Sequence, residues 1–269
     1  MTTTKTRICV VGAFGRMGST VIKEASHELY DVTGAVESPG HPKLGRSLEE
    51  LGVTNSQSRL QPSSSLTEVL RDADVCISFT SPEAELENSR AIAQSGRPAV
   101  IGTTGFTPTQ RQELEKALSG RVPAVITSNF SVGANMLFGL ASSLKSLPKE
   151  FDVSIMEAHH SGKADAPSGT ALRLGEIVSK ARRYSSNVHG RSGISKRQPG
   201  ELEIVSLRGG GAPGEHTIFA FGQYELLKLE HTVFSRSAFA QGALLAAEWV
   251  SRGREKRIYT MLDVLGFGA

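Results

Sequence analysis

The first half of the chain alternates short apolar runs with segments of helical period, and this alternation narrows the fold more than any other feature. The runs are RICVV, DVTGAV, DVCISF, PAVIG and AVITS, with helical segments expected from about Met17, Pro82 and Thr107. Such an order implies βαβ units and a parallel sheet. At the first strand-to-helix turn, VVGAFGRMGS places Gly12, Gly15 and Gly18 one residue further apart in the first gap than the usual dinucleotide fingerprint. The turn follows a strand and opens an amphipathic helix (Val21, Ile22, Ala25, Leu29), where N–H groups and the helix dipole favour a pyrophosphate. Glu37 ends the second strand, nineteen residues after Gly18, where an acid can accept from ribose hydroxyls. The plainer reading of the same residues is a tight turn and a solvated strand end.

Two more strand ends carry turns that would let a flat ring approach the backbone: Phe79-Thr80-Ser81-Pro82 and Gly102-Thr103-Thr104-Gly105. The second half opens with a long helical segment closed by Pro148, then a strand over 151–157 with Phe151, Val153 and Ile155 on one face. EAHHSGKADAPSGT follows. His159, His160 and Lys163 are expected in a loop, and Pro167-Ser168 to start a helix whose first N–H groups, at Gly169 and Thr170, can cradle an anion. The buried face of that helix reads as Leu174, Ile177, Val178 and Ala181. So many proton donors in one loop call for an anionic ligand to offset their mutual repulsion. ELEIVSLR, GEHTIFAFG and YELLKLEHTV read as strands of a mostly antiparallel or mixed sheet, and the polar, Gly/Ser-rich stretch 184–200 as a loop. A last helix spans 238–250, and the tail YTMLDVLG can return to the first domain.

Composition excludes several classes. Thirty basic residues stand against 27 acidic ones, with no Lys/Arg run to track a phosphate backbone, so no nucleic-acid partner is expected. Cys9 and Cys76 each sit inside an apolar run, which fits core strands and a reducing cytoplasm. MTTTKTR lacks an apolar core, and no stretch approaches about 18 apolar residues, so neither an export signal nor a membrane partner is expected. No Cys or H-E-x-x-H accompanies the histidine pair and no G-x-S-x-G is present, so neither a metal site nor a serine nucleophile is read. A dehydrogenase of some small carboxylic acid and a non-catalytic dinucleotide-binding redox sensor remain as alternatives.

EAHHSGKADAPSGTAL, together with GAFGRMG, Phe79-Thr80, GTTGF, NFSVGAN, GEHTIFAF and HTVFSRSAFAQGAL, resembles the dihydrodipicolinate reductase family over nearly the whole chain. The resemblance implies an α/β fold with a Rossmann-like parallel-sheet N-terminal domain and an α+β domain for substrate binding and oligomerisation. The expected division is 1–130 for the dinucleotide, 131–237 for substrate and tetramer assembly, and 238–269 as a helix and tail returning to the first domain. It implies reduction of a cyclic unsaturated dicarboxylate by NADH or NADPH, in a homotetramer, within lysine and diaminopimelate biosynthesis. Carried over by motif, Gly12, Ala13, Phe14, Gly15, Arg16 and Met17 resemble the phosphate turn and Glu37 the ribose ligand. Phe79, Gly102, Thr103 and Thr104, with Thr127, Ser128, Asn129 and Phe130, resemble the nicotinamide side. His159 matches the proton donor, Lys163 its companion, and His160, Gly169 and Thr170 the contacts to substrate carboxylate. The 184–199 region departs from the family pattern. Glu37 followed by the uncharged Ser38 implies a modest preference for NADH, with Arg16, Lys43 and His41 as the cations that could soften it.

Overall fold

The structure is a computed structural model that describes residues 5–25, 29–50, 53 and 59–267. Most of the MTTTKTR lead therefore lies outside the described residues. Along the chain run β1 (Thr6–Val11), α1 (Arg16–Glu24), β2 (Tyr30–Val36), α2 (Leu66–Val69), β3 (Val75–Ser78) and α3 (Pro82–Ser95). Next come β4 (Ala99–Ile101), α4 (Pro108–Leu118), β5 (Ala124–Ile126), α5 (Val132–Ser142), β6 (Asp152–His159) and α6 (Gly169–Arg182). The rest are β7 (Ser186–Val188), β8 (Glu201–Arg208), β9 (Glu215–Phe221), β10 (Leu226–Thr232), α7 (Ser237–Ser251), β11 (Ile258–Tyr259) and α8 (Met261–Val264). The chain divides into two compact units, Met1–Ser131 with Arg236–Ala269, and Val132–Ser235.

The first unit is a six-stranded sheet in the order β11-β5-β4-β3-β1-β2, parallel at every pairing. Parallel strands covered by helices on both faces read as continuous apolar runs rather than alternating ones. Ile8 to Val11 and Val75 to Ile77 are accordingly buried without a break. Cys9 and Cys76 are register partners on β1 and β3, both buried and free. The helix starts follow their sequence signals. Ser81 caps α3 through its hydroxyl with Pro82 first in the helix, and Thr107 and Gln110 form a capping box ahead of α4. β11 adds to β5, and α7 packs on α1, β1, β3 and β4.

The second unit is a five-stranded mixed sheet in the order β10-β9-β6-β8-β7. β6 and β10 run antiparallel to β9, whereas β8 runs parallel to both β6 and β7. Val153, Ile155, Leu202, Ile204, Ile218 and Ala220 form its buried face. On α6, Ala171, Leu174, Gly175 and Val178 are buried, while the expected Ile177 and Ala181 are only half-buried. The other face carries Leu207, Phe221 and Leu226, exposed by 48%, 44% and 52%.

Three local expectations are corrected. The long helix after Ser131 ends at Ser142 and tightens into a 3-10 turn over Ser143–Ser146 before Pro148 is reached. The 151–157 strand instead runs from Asp152 to His159, because pairing with β9 continues to Ala158 and pairing with β8 to His159. The 184–200 stretch is not a simple loop. It contains β7, Arg191 pairs with Glu201 and Glu203, and Arg197 reaches Asp152, the Val153 carbonyl and the Glu201 carbonyl.

Candidate active site

In the first unit the turn after β1 is shaped by glycine. Gly12 has φ of 77°, and a Cβ there would stand 2.3 Å from the Phe79 carbonyl oxygen, so only glycine fits. The N–H groups of Gly12 and Ala13 donate to the Val36 carbonyl, which ties the turn to the end of β2. Glu37 follows directly. Its Oε2 accepts from Phe14 N–H at 3.0 Å and its Oε1 from Ser38 N–H at 2.9 Å. Gly15 precedes α1 and provides no side-chain cap, leaving that helix end suited to an anion. Arg16, exposed, and Met17, half-buried, begin the helix. A groove of about 630 Å³ runs along this turn, lined by Gly12, Phe14, Glu37, Ser38, His41 and Phe79 among others. His41 stacks on the Phe14 ring at 4.8 Å, and Lys43 Nζ lies 5.7 Å from the same ring.

The turns after β3, β4 and β5 lie at the same, carboxyl-terminal edge of that parallel sheet. The Phe79 ring fills the space that a Cβ on Gly102 would need, at 2.0 Å, and meets Phe130 edge-on at 5.8 Å. Thr103 is buried, and its hydroxyl donates to Glu85 at 2.5 Å while accepting from Thr80 N–H at 2.9 Å. Its side chain is thus turned inward, while Thr104 next to it is exposed. Thr127 Oγ1 donates to the Asn129 carbonyl and accepts from Asn129 N–H, and Asn129 Oδ1 accepts from Ser131 N–H. Ser128 is exposed and Phe130 buried.

The second unit gathers the remaining candidates around one buried carboxylate. Pairing of β6 with β8 and β9 sets Ser206, Glu157 and His216 side by side in register. Glu157 has no exposed surface. It accepts two bonds from Arg208, at 2.9 and 2.8 Å, one from Ser168 N–H at 3.1 Å, and pairs with His159 Nδ1. Burial alone would push this acid up, yet the bonds from Arg208, His159, Ser206 and Ser168 hold it down at about 2. An ionised Glu157 keeps the proton of His159 on Nδ1 and leaves Nε2 for a ligand. Ser168 caps α6 by accepting Ala171 N–H, and its Oγ lies 3.0 Å from His216 Nε2. His216, edge-on to His159 at 5.1 Å, is pushed down to about 4 by burial and then by His159.

His160 is exposed, and its carbonyl accepts from Lys163 N–H in a tight turn. Lys163 Nζ pairs with Asp165 at 2.7 Å and holds that carboxyl below the usual range. Gly169 and Thr170 open α6. The structure therefore brings His159, Lys163, His160, Gly169 and Thr170 onto one unit, with two departures from the sequence reading. His159 is the last residue of a strand rather than part of the loop, and His159 and Lys163 are paired with Glu157 and Asp165. Sequence reasoning does not reach Arg208 and His216, and reads Ser168 only as a helix start and Glu157 only as the end of the 151–157 strand. A charged residue in the buried register of β6 was the available signal, since such a residue needs a partner. Among the described residues, no group of three or more His, Cys, Asp or Glu could hold a metal ion, and no helix is long and apolar enough to cross a membrane.

Comparison with known proteins agrees across the chain. Residues 6–130 match the family model for the N-terminus of dihydrodipicolinate reductase, and residues 133–265 the model for its C-terminus. The 4-hydroxy-tetrahydrodipicolinate reductase of Methanocaldococcus jannaschii is 41% identical over 267 residues, covering 97% of each chain. That of Geobacter metallireducens is 39% identical over 265 residues, covering 97% of this chain and 98% of the relative. Among solved structures, a dipicolinate-bound dihydrodipicolinate reductase from Paenisporosarcina sp. TG-14 has a TM-score of 0.75 at 24% identity, covering 97% of this chain and 99% of that one. That structural likeness speaks for the fold; the matches in sequence, continuous through both units, show that this chain belongs to the dihydrodipicolinate reductase family.

Proposed function

We propose that the chain reduces 4-hydroxy-tetrahydrodipicolinate to tetrahydrodipicolinate with NADH or NADPH, as a cytoplasmic enzyme of lysine and diaminopimelate biosynthesis. One observation carries the reading: an imidazole held by a buried, ionised glutamate stands in the same unit as Lys163 and the N-terminus of α6. Loss of the 4-hydroxyl as water leaves a conjugated imine bearing two carboxylates, and hydride is delivered to it. The reaction needs donors for the anion and an acid for the proton that follows.

The residues present fit a dinucleotide, because Gly12 keeps the turn free of any side chain and Glu37 offers its carboxylate to a ribose. The reduced nicotinamide supplies the hydride when bound. Gly12 to Met17 receive the pyrophosphate at the start of α1, Glu37 the adenosine ribose, and Phe79, Gly102 to Thr104 and Thr127 to Phe130 line the nicotinamide end. His160 and the N–H groups of Gly169 and Thr170 receive a substrate carboxylate. His159 takes up a second proton at Nε2 and donates it from there while Glu157 holds the Nδ1 proton, and Lys163 stands as the companion donor. Glu157 and Arg208 fix the imidazole.

Coenzyme preference is modest and favours NADH. Glu37 disfavours a 2′-phosphate and Ser38 carries no charge, but Lys43 and His41 flank Phe14 at the groove and soften the repulsion. The exposed apolar face of the second sheet supports assembly into a homotetramer. The test is a coupled assay that generates the unstable substrate in place and follows loss of reduced-nicotinamide absorbance. Turnover with NADH and, less efficiently, NADPH is expected, and no turnover with either overturns the reading.

A further inference from the structure

Glu85 lies in the first turns of α3 with no exposed surface. Its hydrogen-bond partners are three hydroxyls, and all three donate to one oxygen. Ser78 Oγ, Thr80 Oγ1 and Thr103 Oγ1 reach Oε2 at 2.7, 2.9 and 2.5 Å. The other oxygen, Oε1, is buried and has no partner among the described residues. Burial pushes this carboxyl up, and the bonds from Thr103, Ser78 and Thr80 pull it back. A buried acid with no cation beside it burdens the fold in a way that an apolar side chain at the same place would not.

What the carboxyl supplies is geometric. Ser78 ends β3, Thr80 lies in the turn after it, and Thr103 lies in the turn after β4. Thr103 Oγ1 also accepts Thr80 N–H, so the two turns are joined twice. They carry Phe79, whose carbonyl closes on Gly12, whose ring lies over Gly102, and whose edge meets Phe130. We propose that Glu85 is a positioning residue, tying the turns after β3 and β4 together and so fixing the surface that receives the nicotinamide end of the coenzyme. This rests on the dinucleotide reading above. It also assigns the contacts made by the Gly102–Gly105 turn to its backbone and to the exposed Thr104, because the Thr103 hydroxyl is already engaged.

The experiment compares Glu85→Ala, Glu85→Gln and Thr103→Val, measuring NADH binding by fluorescence and inhibition by 5′-AMP, which occupies only the adenosine side. Glu85→Ala is expected to weaken NADH binding and raise its KM on the order of tenfold. The KM for the dicarboxylate substrate and the affinity for 5′-AMP should stay within about twofold of the parent. Glu85→Gln, whose amide oxygen accepts the same hydroxyls, should restore NADH binding to within about threefold. Thr103→Val should weaken NADH as Glu85→Ala does, and gives the same readout if the alanine variant does not fold. Unchanged NADH binding in both, equal loss of NADH and 5′-AMP, or a glutamine variant no better than alanine overturns the proposal. Failure of the wild type to bind NADH would instead remove the coenzyme reading on which it stands.

Discussion

Glu157 has no exposed surface and yet stays ionised, because four donors converge on two oxygens. A carboxylate so held fixes the tautomer of His159 and keeps its imidazole turned one way, as an orienting acid does in acid–base sites generally. His159→Ala and Lys163→Ala should each lower kcat by about 10²- to 10⁴-fold, with coenzyme affinity nearly unchanged. Stopped-flow binding of NADH beside steady-state kinetics checks this, and near-native kcat in either variant would move the acid elsewhere. Ser38 belongs to the same scale. Replacing it with arginine places a charge next to Glu37, where the Ser38 N–H now bonds the carboxylate. The ratio of kcat/KM for NADH over NADPH, expected at roughly tenfold in the wild type, should narrow or invert in Ser38→Arg, mainly through the KM for NADPH. A wild type that favours NADPH at fixed ionic strength would assign the phosphate to Lys43, His41 or Arg16.

At the scale of elements, strand register brings together what sequence proximity does not. Ser206, Glu157, His216 and His231 come from four strands and form one row across the second sheet. His216 supplies a pH signature. Its folded value of about 4 lies below the ordinary 6.5, so the unfolded chain binds the proton more readily. The stability contributed by the neutral ring is present above about 6.5 and is lost as pH falls through the window toward 4. His216→Gln should flatten the fall in urea midpoint between pH 6.5 and 4, and an unchanged slope would assign the loss to other groups. The same row explains what the sequence could and could not reveal. The βαβ half was legible because its strands are apolar without a break and its helix starts carry Ser81-Pro82 and Thr107-Pro108. The candidate residues from His159 to Thr170 were legible as a group because they are contiguous. Arg208 lies fifty-one residues from Glu157, and nothing local announces that pairing. The 184–200 stretch misled for a related reason: its composition is that of a loop, but Arg191 and Arg197 anchor it to acids and carbonyls of β6 and β8.

The whole molecule presents two separate demands, assembly and completion. Leu207, Phe221 and Leu226 stand on one uncovered sheet face, and burying such a face against other copies stabilises each by removing apolar surface from water. Light scattering at micromolar concentration should give the mass of four chains, and a monomer mass would remove the tetramer. Completion concerns the coenzyme unit, which is not continuous in sequence: residues 132–235 interrupt it, and α7 and β11 finish it. On the ribosome residues 132–235 emerge as one uninterrupted stretch, while the sheet begun first lacks β11 beside β5 until that strand is made. The sheet that is begun first is thus completed only after the second unit has emerged.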